Sequence, residues 1–223
     1  MNLQTYPDRE LMMLSVADKI AGQLGDFLRR DGRATLSVPG GTTPGPIFDT
    51  LSGVDLDWAN VAIILNDERW VPETSDRSNT ALVRRRLLRN RAAKANLVPL
   101  YTEADAPEAA LDALSDGILP HLPISVLLLG MGADMHTASL FPGADRLDEA
   151  LSASAPPLMA LRAEAAGEPR ITLTAPVLKA AFNIHILITG QDKRDALERA
   201  QSLPVAEAPV RAVLDNATVH WAE

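Results

Sequence analysis

Two side chains able to move protons stand two residues apart, Asp134 and His136, in the stretch Leu129-Gly130-Met131-Gly132-Ala133-Asp134-Met135-His136-Thr137-Ala138-Ser139-Leu140-Phe141-Pro142. Imidazole titrates near neutral pH and can take a proton and return it within one cycle, so His136 is the strongest candidate base in the chain. Asp134 is placed to orient it or to touch a substrate. A lone histidine is more often structural, but this one follows a Gly-x-Gly turn that leaves the apolar run 124–129. Such a run reads as a buried parallel strand, and ligands of open α/β sheets collect outside the carboxyl ends of such strands.

Three further places carry chemistry. Gly40-Gly41-Thr42-Thr43-Pro44 interrupts a strand-like run at 34–38 and a short helical pattern containing Ile47, Phe48 and Leu51. Glycines let an anion approach backbone N–H groups, and a helix start adds a favourable dipole, which makes Gly40, Gly41 and Thr42 candidate binding residues. The turn matches neither the Walker pattern nor the dinucleotide fingerprint. Asn66-Asp67-Glu68-Arg69-Trp70-Val71-Pro72 follows the apolar run 61–65 with two carboxylates and a guanidinium. Those groups are costly to desolvate unless they pair or meet a ligand. Arg69 suits a phosphate or a developing oxyanion, and Asp67 suits sugar hydroxyls. Arg170 before Ile171-Thr172-Leu173-Thr174, and Lys193 after Gly190-Gln191-Asp192, each put a cation near a strand end. Each alone reads as surface charge; together with the glycine turn they supply the positive potential an acidic protein needs to hold a phosphorylated ligand.

The elements that must position these groups alternate. Apolar positions Leu14, Val16, Ile20, Leu24 and Phe27 predict a helix over 9–30 that Asp31-Gly32 ends. Strands are expected at 34–38, 61–65, 124–129, 171–174, 184–188 and 217–221, with Asn66 to Arg69 as a polar loop. Helices are expected after Pro44, after a cap at Ser78, over 106–119, from Pro176 and over 193–201. His185, set among Ile184, Ile186, Leu187 and Ile188, reads as a core histidine, and His121 and His220 as peripheral. This alternation predicts an α/β fold, a mostly parallel sheet with helices on both faces.

Composition narrows the classes. The 223 residues suit a single domain over 1–223, with no linker, repeat or low-complexity tract. A net charge of −8 opposes attraction to nucleic acid or anionic membrane. The one basic cluster, Arg84-Arg85-Arg86 with Arg89 and Arg91, has no interleaved aromatics and reads as a solvated helix face. There are no cysteines, which removes disulfides, thiolate catalysis and cysteine-held metals, and the four histidines show no metal-binding spacing. No run is long enough to span a bilayer, and the first residues lack the basic-then-apolar order of a secretory signal. The expectation is a soluble cytoplasmic protein with no cysteine- or histidine-built metal site and no membrane or nucleic-acid partner; its oligomeric state is left open, a monomer being favoured.

The ordered set Gly-Gly-Thr-Thr-Pro, Asn-Asp-Glu-Arg-Trp-Val-Pro with Ser78-Asn79, Gly-Met-Gly-Ala-Asp-Met-His-Thr-Ala-Ser-Leu-Phe-Pro, Arg170-Ile171-Thr172 and Gly190-x-x-Lys193 resembles the 6-phosphogluconolactonase family. That resemblance implies a Rossmann-like fold shared with the glucosamine-6-phosphate deaminases. It also implies cofactor-free hydrolysis of 6-phospho-D-glucono-1,5-lactone, a small phosphorylated sugar lactone. By the same resemblance His136 matches the family's proposed base, Asp134 its neighbouring acid, and Asp67 and Arg69 the acid and arginine of the second motif. One position departs: Met135 stands where the family pattern usually has glycine. Two other classes are weighed. A deaminase usually carries a glutamate shortly after the histidine, whereas Ser139-Leu140-Phe141-Pro142 holds no acid. A sugar-phosphate sensor for transcription needs a DNA-binding module, for which the first helix leaves no room.

Overall fold

The apolar runs at 34–38 and 61–65 are strands in which every residue is buried, so both faces of the sheet they belong to are covered. The computed structural model describes residues 1–223. In chain order the elements begin with β1 (Asn2–Thr5), α1 (Arg9–Asp31), β2 (Ala34–Val38), α2 (Gly45–Gly53), β3 (Val61–Leu65) and β4 (Asp67–Arg69). They continue with α3 (Asn79–Arg86), β5 (Asn96–Val98), α4 (Leu111–Ile118), β6 (Val126–Gly130), α5 (Leu147–Leu151) and β7 (Leu158–Leu161). The last are β8 (Arg170–Leu173), α6 (Ala175–Lys179), β9 (Asn183–Thr189), α7 (Gln191–Ala200), α8 (Arg211–Leu214) and β10 (Ala217–Ala222).

Seven strands form one sheet in the order β1-β10-β9-β6-β2-β3-β5, and every neighbouring pair is parallel. From β2 the chain winds outward through β3 to β5, and from β6 it winds the other way through β9 to β10. The direction therefore reverses between β2 and β6, and a crevice opens at their carboxyl ends. Asn66, fully buried, stitches that seam. Its carbonyl oxygen accepts from the Ser37 hydroxyl at 2.7 Å and its amide donates to the Leu128 carbonyl at 2.8 Å.

The segment 67–69, expected as a loop, is instead strand β4. It pairs antiparallel with β8, and β8 with β7, in a separate three-stranded sheet. Three polar residues show no apolar alternation, because what holds them is the pairing with β8 about a hundred residues later.

Helix α1 shows how local sequence sets an element. The Asp8 side chain accepts the Leu11 N–H at its start, and Gly32, at φ 70°, returns its N–H to the Leu28 carbonyl at its end. Met12, Val16, Ile20 and Leu24 turn one fully buried stripe toward the sheet, each worth about 1.5–3 kcal/mol of burial.

His220, expected at the periphery, is fully buried, because β10 is an interior strand between β1 and β9. The Tyr6 hydroxyl lies 2.8 Å from His220 Nδ1, His220 Nε2 lies 3.0 Å from His185 Nδ1, and His185 Nε2 lies 2.8 Å from Gln23 Oε1. The amide oxygen of Gln23 only accepts, so His185 carries its proton on Nε2. Its Nδ1 then accepts from His220 Nε2–H, and His220 Nδ1 accepts from Tyr6. Two neutral imidazoles satisfy the whole chain, and burial pushes His185 down to about 4 and His220 to about 3.

Candidate active site

The crevice at the β2/β6 seam is a cleft of about 370 Å³. It gathers Gly40, Gly41 and Thr43 after β2, Asp67 and Arg69 from β4, Gly130 at the end of β6 with Gly132 and His136 after it, Arg170 from β8 and Lys193 from α7. Thr42 does not line this cleft: it lines a neighbouring groove with Arg9, Met13 and Thr189, and Thr43 borders both. A cleft of similar volume opens at the opposite ends of the strands, beside Phe27, Arg33, His121 and Phe182. The acid–histidine pair and the paired arginines belong to the first.

Strand β6 ends at Gly130, and a tight turn follows in which Gly132 N–H donates to the His136 carbonyl at 3.0 Å. The turn brings His136 Nδ1 to 2.5 Å from Asp134 Oδ1, and the same oxygen accepts the His136 N–H at 3.2 Å. A carboxylate on Nδ1 fixes the proton there and leaves Nε2 with its lone pair, the tautomer a base needs. Burial raises the carboxyl of Asp134, but the hydrogen bonds and charge of His136 outweigh it and hold the group below its ordinary range. Gly132 is a steric necessity, since a Cβ there meets the His136 ring and the Asp134 carboxylate. Met135 has φ 66° and Ala138 φ 49°, so two non-glycine residues in the left-handed region bracket His136. The side chain of Met135 packs against the core and its carbonyl accepts the Val210 N–H at 3.1 Å. The loop thus closes around methionine at the family's glycine position.

Strand β4 alternates, so Asp67 and Arg69 share one face and Glu68 takes the other. Glu68 is fully buried against the start of α3. It accepts the N–H groups of Arg69, Asn79 and Thr80 at 2.9, 2.8 and 2.7 Å, and the Thr80 and Ser78 hydroxyls at 2.8 and 3.2 Å. A carboxylate at a helix N-terminus meets both free N–H groups and the positive end of the dipole. Ser78, as its sequence position suggests, caps α3 by accepting from Ala81. Asn79, from the first turn of α3, donates to the Asp67 carbonyl at 2.9 Å and lies flat on Gly40, where a Cβ would strike its amide. One asparagine therefore fastens the glycine turn to β4.

Across the ladder Arg69 stands opposite Arg170, two like charges in register. Asp67, 6% exposed, answers one of them with Oδ2 at 3.6 Å from Arg170 Nη1, and also accepts the Ser139 hydroxyl at 2.5 Å. Burial lowers Arg170 from its ordinary value and Asp67 partly restores it. Arg69 bonds the Arg77 carbonyl and Arg170 the Ala166 carbonyl, yet the Nε–H of each is buried with no partner. Two guanidinium groups held in register beside the cleft concentrate positive charge there. Sequence reasoning passed over Asn66, Glu68, Asn79, Ser139 and Phe141 as actors. The signal available for Asn66, Glu68 and Ser139 was their place within three positions of the named groups, for Asn79 its place beside the Ser78 cap, and for Phe141 an aromatic five residues after His136.

Fold and site together define an α/β protein with an arginine-lined, histidine-bearing cleft at the switch point of a parallel sheet. The chain belongs to the family of glucosamine-6-phosphate isomerases and 6-phosphogluconolactonases, whose profile matches residues 7–221. A 6-phosphogluconolactonase of Mesorhizobium japonicum is 44% identical, with 99% of this chain and 95% of that one covered. One of Rhizobium meliloti is 41% identical over 99% and 98%. The crystal structure of a 6-phosphogluconolactonase from Shewanella baltica superposes with a TM-score of 0.96 at 34% identity, covering 100% of this chain and 98% of that chain. Besides the fold, no helix is long and apolar enough to cross a membrane.

Proposed function

We propose that this chain, like the relatives named above, is a 6-phosphogluconolactonase, and that it hydrolyses 6-phospho-D-glucono-1,5-lactone with His136 as general base. The observation that carries the reading is that His136, paired with Asp134, lines one cleft together with Arg69, Arg170 and Lys193. Lys193 and the Gly40-Gly41 turn, with Arg170, receive the phosphate. Asp67 accepts hydrogen bonds from sugar hydroxyls, and its charge keeps the arginine pair from repelling itself apart.

His136 Nε2 takes a proton from water, whose oxygen bonds to C1 of the lactone as the carbonyl electrons move onto oxygen. Arg69 stabilises that oxyanion. The C1–ring-oxygen bond then breaks, and the leaving oxygen takes the proton from the imidazolium. The product is a carboxylic acid, which ionises, with a free hydroxyl at C5. Because δ-lactones hydrolyse slowly unaided, one base and fixed dipoles suffice. Phosphate contacts hold C1 beside the base, spending remote binding energy on orientation.

The test is the rate at which purified protein consumes freshly generated lactone above the spontaneous background, at neutral pH with chelator present. A large acceleration that His136→Ala lowers by about 10²–10⁴ in kcat supports the reading. No acceleration in the parent refutes the activity, and an undiminished rate in His136→Ala refutes the base.

A further inference from the structure

Three residues after His136 the chain reverses, with Leu140 N–H donating to the Thr137 carbonyl at 3.0 Å. The reversal lays the Phe141 ring on the His136 imidazole, centroids 4.2 Å apart and planes 30° from parallel. Phe141 is 8% exposed and borders the cleft, so its ring is not simply filling the core. The same ring lies 5.6 Å from the guanidinium carbon of Arg170, within the range at which a cation is drawn to an aromatic face. Ser139, between the two rings in sequence, is fixed at both ends, its hydroxyl on Asp67 and its N–H on Thr172 Oγ1 at 3.2 Å.

We infer that Phe141 is a positioning residue for this reaction: its ring holds the imidazole plane of His136 and favours the imidazolium that forms when water is deprotonated. The inference deepens the lactonase reading and rests on it for its kinetic part. Asp134 holds the imidazole at Nδ1 and Gly132 packs against its ring, and the stacked Phe141 ring adds a further face that limits its tilt. Once His136 gains a proton, the negative face of Phe141 meets a positive charge that exists only after the proton transfer. Such a contact lowers the barrier without tightening substrate binding. The groups facing that charge are Asp134 on its own loop, Arg170 of β8 beside the same ring, and Arg69, Asp67 and Lys193 across the cleft.

Phe141→Leu keeps an apolar side chain and removes the flat face. Its kcat is expected to fall about tenfold while KM stays within about twofold, and Phe141→Tyr recovers most of the rate. Proton NMR reads the stack without turnover: ring current displaces the His136 Cε1–H and Cδ2–H resonances upfield, identified by their loss in His136→Gln. Phe141→Leu removes the displacement and Phe141→Tyr retains it. A parent protein whose His136 resonances are undisplaced overturns the inference, even if Phe141→Leu does not fold. So does a Phe141→Leu enzyme with the parent kcat, or one whose loss lies entirely in KM. A parent without lactonase activity whose His136 is displaced upfield refutes the proposed function and leaves the stack standing.

Discussion

Lowering the pH from 8 to 4.5 strains the Tyr6–His220–His185–Gln23 chain before it touches most carboxylates. In the unfolded chain each histidine takes a proton near pH 6.5, while in the folded protein His185 stays neutral down to about 4 and His220 to about 3. Below pH 6.5 the unfolded state therefore binds protons that the folded state refuses, and stability falls as pH falls. The slope is about 1.4 kcal/mol per pH unit for each histidine, so the pair removes roughly 5 kcal/mol by pH 4.5. That is comparable to the whole stability of many domains, about 5–15 kcal/mol. His121, lowered by burial, adds in the same direction. The chain is directional, so relief is not available locally: a proton on His185 Nδ1 would face the Nε2–H of His220. Urea unfolding at pH 8, 7, 6, 5 and 4.5, followed by tryptophan fluorescence, should show a midpoint that drops steeply below pH 6.5 at constant m. A midpoint level between pH 7 and 5, or a buried imidazole seen by NMR to titrate near 6.5, refutes the reasoning.

Asp134→Asn replaces an acceptor on His136 Nδ1 with an amide that can donate to it, and kcat should fall by about 10² or more with little change in KM. A rate within twofold of the parent would show that the tautomer is set elsewhere. Met135→Gly and Met135→Ala lose the same packing, but only glycine relieves the φ of 66°, so the glycine variant should be the more stable by about 1 kcal/mol in thermal unfolding. Equal melting temperatures would mean the loop moves to accommodate alanine. Gly40→Ala should raise KM for the lactone about tenfold by pushing on Asn79, and do so much less in an Asn79→Ala background. Additive effects would uncouple the two. Glu68→Gln leaves buried N–H groups competing with an amide and should destabilise by about 2–4 kcal/mol in urea titration.

The strands at 34–38, 61–65 and 184–188 were legible because a strand buried on both faces is a plain apolar run, and α1 because its stripe and its caps are local. Strands β1, β5 and β7 were not, since Asn2 to Thr5 and Asn96 to Val98 become strands only through partners far along the chain. The acid–histidine pair and the strand-end cations were visible as residue types in sequence. That Arg69 and Arg170 stand in register was not, because it depends on the antiparallel pairing of β4 and β8. Thr42 and Thr43 are alike on paper; only the path of the backbone decides that Thr43 borders both the cleft and the neighbouring groove while Thr42 borders the groove alone.

Strand β1 touches no other strand than β10, with Asn2 beside Thr218 and Thr5 beside Trp221. Synthesis delivers β1 well before β10, with the rest of the sheet made in between. Until β10 emerges from the ribosome, β1 has no ladder to join, β9 is an open edge, and Tyr6 and His185 have no His220 to bond. A chain broken off before residue 217 keeps every group of the cleft and still cannot close the sheet. Such a chain exposes β9 as an unpaired sheet edge, however intact its chemistry.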